Sequence, residues 1–200
     1  MMSSKIKLTF LGTSGVIPTE KRNHIAIFLQ YDKEGILVDC GEGTQRQFRK
    51  AKINPGKITK ILITHWHGDH ILGIPGLLQT LALSGYKKIL EIYGPRGTKK
   101  YVKELLKVFH FVNDIKIDAK EIDKDGIFFE NKDIFLESKK MTHGCPCNAY
   151  VFVEKGKRRI DKKKLMKSKL PSGPLLQKIK EGENIIYKNK TYLSKNLTYV

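Results

Sequence analysis

Polar and apolar residues alternate through Lys5–Leu11, the two-residue period of a strand with one buried face. Gly12–Pro18 breaks that pattern with its glycines and proline and reads as a loop. Ala26–Tyr31 and Gly35–Asp39 flank Asp32-Lys33-Glu34 and predict a hairpin. Thr44–Ala51 predicts a helix, with Thr44 in position to cap it, and Asn54-Pro55-Gly56 a turn. Lys60–Thr64 holds the run Ile61-Leu62-Ile63 and predicts a short buried strand. Pro75–Leu83 predicts a helix opening at its proline, where the missing N–H costs nothing. Ile89–Tyr93 follows as a strand. Thr98–Phe111 places Tyr101, Val102, Leu105, Leu106 and Phe109 at helical spacing. Ile115–Ile122, Ile127–Phe129, Asp133–Met141 and Tyr150–Glu154 read as strands, and Asn184–Tyr187 with Thr191–Leu193 as a small hairpin. Helices interleaved with the early strands, then a run of strands, predict an α/β layered sheet. No internal repeat is present.

Chemistry enters at the end of the Lys60–Thr64 strand. His65-Trp66-His67-Gly68-Asp69-His70 packs three histidines and an aspartate into six residues. A strand end followed by a tight turn can aim several such side chains into one pocket. Imidazole and carboxylate are ligands that zinc and similar divalent metals take, and manganese accepts them too. A polar surface turn rich in histidine is the plain alternative. Thr142-His143-Gly144 also ends a predicted strand, so His143 is either a further ligand or a satisfied strand-end histidine. Trp66 can stack on a base or pack beside the site. Asp39 can orient a ligand imidazole from behind, or satisfy backbone donors at its own turn. His110 falls on a predicted helix and reads as structural.

Composition sharpens the picture. Two hundred residues suit one domain with a sizeable core. No apolar run approaches the ~20 residues a bilayer span requires, and Met1–Lys5 leads into a strand pattern without a signal-peptide core. A cytoplasmic protein without membrane contact is expected. The three cysteines, Cys40, Cys145 and Cys147, argue against a disulfide framework. Cys145 and Cys147 follow His143 closely enough that thiolate ligation stays open beside a reduced structural role. Net charge is +18, with an isoelectric point near 9.8, a field that attracts polyanions. Between Lys155 and Lys180 stand eleven Lys and Arg against one acid, Asp161. So local an excess favours a dedicated docking element for nucleic acid over a generally basic surface.

The histidine motif resembles that of the metallo-β-lactamase superfamily, and the likeness extends further. Phe10-Leu11-Gly12-Thr13, Pro18, Arg22-Asn23, Asp39–Gln45, Pro75-Gly76-Leu77-Leu78, Tyr93-Gly94-Pro95, His143-Gly144 and Pro171-Ser172-Gly173-Pro174-Leu175 resemble the ribonuclease Z family. What stands here resembles the N-terminal two thirds of that family's longer chains. The resemblance implies an αββα layered sandwich, incomplete in these residues, with a protruding basic arm. Residues 1–154 would be the N-terminal part of the core, 155–193 a flexible tRNA-binding arm, and 194–200 the start of a return to a C-terminal part. It implies a zinc endoribonuclease that removes the 3′ trailer from precursor tRNA and leaves a 3′-hydroxyl, acting as a homodimer. His65, His67 and His143 would hold one zinc, and Asp69 and His70 part of a second. Asp69 would also accept a proton. His24, beside Arg22-Asn23, would lie near the active site. The arm would use Lys157, Arg158, Arg159, Lys162, Lys163, Lys164, Lys167 and Lys169, with Pro171, Gly173 and Pro174 shaping it. Two zincs per complete site are expected, but no histidine follows His143. The family's bridging aspartate and last histidine ligand would come from a separate or missing C-terminal part. A catalytically incomplete fragment that binds tRNA is therefore an alternative. So is a related metallo-hydrolase acting on other phosphodiesters or thioesters.

Overall fold

A computed structural model describes residues 5–110, 115–156, 158–168 and 170–199. Lys7–Gly12 (β1), Ala26–Tyr31 (β2), Glu34–Val38 (β3), Lys60–Leu62 (β4), Leu90–Gly94 (β5) and Ile117–Glu121 (β6) lie side by side in chain order as one sheet. The first three pair antiparallel, and β3 through β6 run parallel. Parallel neighbours need crossovers. Thr44–Lys50 (α1) links β3 to β4, Gly68–Ile71 (α2) and Ile74–Leu83 (α3) link β4 to β5, and Thr98–Val108 (α4) links β5 to β6.

The two-residue period then sorts the side chains. Phe28, Leu37, Ile61, Ile63, Leu90 and Ile92 share one core with Phe48 of α1, Leu77, Leu78 and Leu81 of α3 and Val102 of α4. Each such side chain taken out of water contributes ~1.5–3 kcal/mol. On the opposite face of the sheet, Tyr93 meets Phe128 at 5.1 Å between ring centres, and Phe128 meets Tyr150 at 5.7 Å. Those two rings belong to a three-stranded sheet of Gly126–Glu130 (β7), Ile134–Met141 (β8) and Cys147–Glu154 (β9), in that order. Helices, sheet and second sheet are thus stacked as the α/β layering requires. At the β1 edge Leu8 and Phe10 are 50% and 61% exposed, as a layer without full cover would leave them.

Three local expectations are corrected. Gly43, in the left-handed region at φ 73°, caps α1. Thr44 is instead its first residue, and its hydroxyl donates to the Gly41 carbonyl. The β4 ladder stops at Leu62 because the Thr64 N–H turns to the Asp39 carboxylate. α4 ends at Val108, so His110 lies beyond it and is exposed; Phe111 is outside the described residues.

A half-buried charge network centred on Lys60 crosses the parallel strands. Lys60, 4% exposed, places Nζ 2.8 Å from Glu34 and 3.1 Å from Glu91. Lys120 reaches Glu91 at 2.6 Å, and the Tyr93 hydroxyl donates to it at 2.9 Å. Burial alone would raise the Glu91 pKa, but hydrogen bonds from Lys120, Tyr93 and Lys60 outweigh it and hold the carboxyl below its usual range. A lowered folded-state pKa means stability that is present above the unfolded value and is lost as pH falls through the folded one. Denaturant titrations between pH 7 and pH 3 should show a steep acid loss below the ordinary glutamate range. Glu91→Gln should flatten that acid limb, and an unchanged limb would place the acid sensitivity elsewhere.

The chain forms two compact units, residues 1–128 with 136–151, and residues 129–135 with 152–200. The second contains Arg159–Ile160 (β10), Lys162–Ser168 (α5), Pro174–Lys180 (α6), Ile185–Tyr187 (β11), Lys190–Tyr192 (β12), Ser194–Leu197 (α7) and Thr198–Tyr199 (β13). β11 and β12 form the small hairpin, and β10 pairs with β13. Leu170, Ile179, Ile185 and Leu197 are buried together, with Leu165, Leu175, Leu176 and Tyr192 against them. The basic segment thus carries a small core of its own. Thr198 and Tyr199 pair with Ile160 and Arg159 inside this unit.

Candidate metal centre

Past Leu62 the chain leaves the sheet in steps. The Ile63 N–H still bonds to the Tyr93 carbonyl at 2.8 Å, whereas the Thr64 N–H bonds to Asp39 Oδ1 at 2.8 Å. His67 then caps α2 with extended backbone, φ −72° and ψ 147°. This bend lets residues two apart aim at one point. The ligand nitrogens of His65, His67 and His143 all lie within 4.8 Å of one another. His67 Nδ1 and His143 Nε2 are 3.3 Å apart. Nitrogens each ~2.0–2.1 Å from a tetrahedral zinc stand ~3.3 Å from one another, so the three imidazoles fit such an ion.

Asp69 and His70 sit in the single turn of α2. His70 Nε2 lies 3.4 Å from Asp69 Oδ2, and the His65 and His70 rings are 4.0 Å apart. Behind them stands Asp39, 2% exposed and in the left-handed region at φ 55°, a conformation that Asp tolerates better than most residues. Its Oδ2 is 2.7 Å from His70 Nδ1, and its carboxylate also accepts from the Thr64 N–H and hydroxyl. Asp39 therefore orients an imidazole and satisfies a backbone donor at once. Thr64 Oγ1 lies 3.0 Å from His65 Nδ1, so in both rings Nδ1 is engaged from behind and Nε2 is left to face the site. Burial lowers the His65 pKa, and His70, His143 and His67 lower it further against the pull of Asp39, which favours the neutral ligand form. For His70, burial pulls downward, but the hydrogen bond and charge of Asp39, with Asp69, raise the pKa above its usual value.

Other candidates resolve differently. Trp66 packs beside the site: its Nε1 donates to Thr98 Oγ1 at 2.9 Å, and its ring lies 5.0 Å from that of Tyr101. His24 is buried, with Nε2 3.1 Å from the Val16 carbonyl, a structural role. Cys145 Sγ stands 3.9 Å from His67 Nε2. Burial, then Cys145, push the Cys147 thiol pKa up, away from thiolate. Arg158, Arg159, Lys162, Lys163, Lys164 and Lys167 are all exposed in the second unit. Lys157 and Lys169 lie outside the described residues. Pro171 is exposed, Gly173 has φ 145°, and Pro174 opens α6.

The sequence reading missed Thr64, Asn148 and Tyr150. The Asn148 N–H donates to the Thr64 carbonyl at 2.9 Å, its amide donates to Ile122, and the Tyr150 hydroxyl donates to Ile63. These bonds tie the start of β9, and so the His143 loop, to the histidine loop. A polar residue two positions before a predicted apolar strand was the one available signal for Asn148.

The pattern of the Metallo-beta-lactamase superfamily matches residues 21–150. The chain belongs to that superfamily. Ribonuclease Z of Methanococcus maripaludis is 44% identical over 184 residues, 90% of this chain and 59% of that protein. Ribonuclease Z of Nanoarchaeum equitans is 40% identical over 190 residues, 95% of this chain and 60% of that protein. Among solved structures, human tRNase Z, short form, matches with TM-score 0.69 and 32% identity over 75% of this chain and 66% of that one. The chain thus spans about 60% of the length of the curated relatives it matches. Among the described residues of this metallo-β-lactamase superfamily chain, no helix is long and apolar enough to cross a membrane.

Proposed function

We propose that this chain is the metal-holding and tRNA-docking portion of a zinc-dependent endoribonuclease that removes the 3′ trailer from precursor tRNA and leaves a 3′-hydroxyl. The observation that carries the reading is the convergence of His65, His67 and His143 in a chain 44% identical to a ribonuclease Z. Those three would hold one zinc, and Asp69 and His70 part of a second. A bound zinc pair supplies an activated water and neutralises charge on the phosphoryl oxygens. Asp69 accepts the proton of the attacking water at its carboxylate. Asp39 and Thr64 keep Nε2 of His70 and His65 aimed at the site. The exposed cations of the second unit take tRNA phosphates without reading sequence, so that recognition rests on shape. A 3′-hydroxyl product requires attack by water rather than by the RNA's own 2′-hydroxyl. The remaining ligands would come from a C-terminal portion, on a longer chain or a separate one. The working form would be a cytoplasmic homodimer, one subunit's basic unit holding tRNA for the other's site.

A second reading, a tRNA-binding module without catalysis, is favoured by one observation. Among the described residues no third ligand group joins Asp69 and His70. Mapping the cut that the zinc-loaded chain makes in a 3′-extended precursor tRNA separates the two. The enzyme reading expects one cut at the trailer junction. It also expects Asp69→Asn to slow single-turnover cleavage by ~100-fold or more, within the range for a lost proton acceptor, with tRNA retention unchanged. Retention without cleavage supports the binding module. Hydrolysis of a small phosphodiester or thioester with precursor tRNA left intact would point to a related metallo-hydrolase instead.

A further inference from the structure

A pocket of about 290 Å3 opens in the first unit where the turns after β5 and β6 meet residues at the end of β8 and the start of β9. The carboxyl ends of parallel strands are where α/β sheets bind ligands. Its lining joins the apolar Pro95, Ile122, Met141 and Pro146 to the charged Arg96, Lys140 and Asp123. Pro95 and Ile122 are buried, and the three charged residues are exposed. No ion-pair partner for the Arg96 or Lys140 side chain is found among the described residues. Cys147 and Asn148 complete the wall and connect it to the metal centre. The Asn148 N–H bonds to the carbonyl of Thr64, next to His65, and Cys145 stands 3.9 Å from His67.

We infer that this pocket seats a single unstacked nucleotide beside the phosphodiester at the metal centre, its phosphate on Arg96 and Lys140 and its base against the apolar wall. The assignment rests on the RNA reading given above. The volume lies just below the ~300–1,000 Å3 range of drug-sized ligand sites. That suits one nucleotide and excludes a helical stem. Two unpaired cations beside apolar surface match the two halves of a nucleotide, a phosphate and a base with an exposed ring face. Asp123 is an acceptor that a ribose 2′-hydroxyl can use, the group that separates RNA from DNA. The partner is therefore the single-stranded 3′ side of the junction. The Tyr93-Gly94-Pro95 motif gains a role here, since it delivers Arg96 to the pocket.

The test measures binding of a fluorescent single-stranded RNA hexamer to the zinc-loaded chain, beside retention of 3′-extended precursor tRNA. Arg96→Ala with Lys140→Ala should weaken hexamer binding by ~10-fold and flatten the salt dependence by ~0.7 in log–log slope per cation removed. Retention of the precursor by the second unit should stay within threefold. Met141→Glu, at a residue 51% exposed, should weaken the hexamer similarly while leaving the fold intact by circular dichroism. Asp123→Asn should erase any preference for the RNA hexamer over DNA. Unchanged hexamer binding in the double variant and in Met141→Glu would overturn the assignment and leave the RNA reading standing. So would retention of precursor tRNA by an unsubstituted chain that ignores the hexamer. A chain that retains neither RNA overturns both readings.

Discussion

His67→Ala is expected to lower divalent-metal affinity by more than ~100-fold with almost no change in the stability of the metal-free chain. The asymmetry follows from where His67 sits. It is exposed, so its removal opens no core cavity, and surface substitutions of that kind stay within ~0.5 kcal/mol. Yet its Nδ1 lies 3.3 Å from His143 Nε2, inside the one convergent set of three imidazoles found among the described residues. Loss of a group that merely orients a ligand already costs ~10–100-fold in affinity, and loss of a ligand costs more. The check is a zinc titration against a chromophoric chelator, followed by denaturation with and without zinc. At one hundred times its dissociation constant, zinc should stabilise the unsubstituted chain by ~2.7 kcal/mol. It should leave His67→Ala nearly where it was. His110→Ala, at an exposed histidine past the end of α4, is the matched control. If His67→Ala binds zinc as tightly as the control, the metal is held elsewhere and the proposed site fails.

Local chemistry made the centre of this molecule readable. His65, His67, Asp69 and His70 are close in sequence, and a strand end followed by a turn needs no tertiary knowledge to bring them together. The parallel strands were readable for the same reason. Ile61-Leu62-Ile63 is buried on both faces, and such a strand loses the polar alternation of an edge. What stayed hidden depends on distant segments. Asp39 allowed two roles on paper; the 2.7 Å contact to His70, thirty-one residues away, shows the first, and the backbone donor that its carboxylate satisfies is that of Thr64 rather than one of its own turn. Asn148 and Tyr150 serve through hydrogen bonds to backbone across the two sheets, and Thr64 through a hydroxyl set between Asp39 and His65; no spacing rule marks residues of that kind.

The second unit shows a different limit. Its positive charge dominates the sequence from Lys155 to Lys180 and makes the segment read as a solvated arm. Of its buried residues, Leu170 lies between elements, and Ile179, Ile185 and Leu197 sit in elements of seven, three and four residues. Helical periodicity cannot show itself in two turns of helix. The small core and the exposed cations are complementary. Packing fixes the backbone, and a charged surface held on a fixed backbone can meet a partner at lower entropic cost than a disordered tail would.

Gly73→Ala should damage both the fold and the metal centre, by ~3 kcal/mol or more of stability, at or beyond the upper end for overpacking. Gly73 precedes α3 with an ordinary backbone, φ −79° and ψ −12°, so conformational freedom is not what the position needs. It needs the absence of a side chain. A Cβ at 73 would fall on the Gly41 carbonyl oxygen and within 2.9 Å of the Cys40 carbonyl oxygen. The obstacle is backbone, so no rotamer change relieves it. The loop carrying Asp39 and the turn carrying His70 would have to separate. Their present closeness rests on the Gly73 N–H bonded to the Cys40 carbonyl at 2.9 Å and the Cys40 N–H bonded to the His70 carbonyl at 2.7 Å. Parting them also stretches the contact between Asp39 and His70. Gly15→Ala, where a Cβ would meet nothing within 4 Å, should stay within ~0.5 kcal/mol. Urea denaturation of the three proteins, each with a zinc titration, decides the matter. If Gly73→Ala unfolds at the same urea concentration as Gly15→Ala, the two loops can part freely. Their close approach would then not be what holds His70 in place.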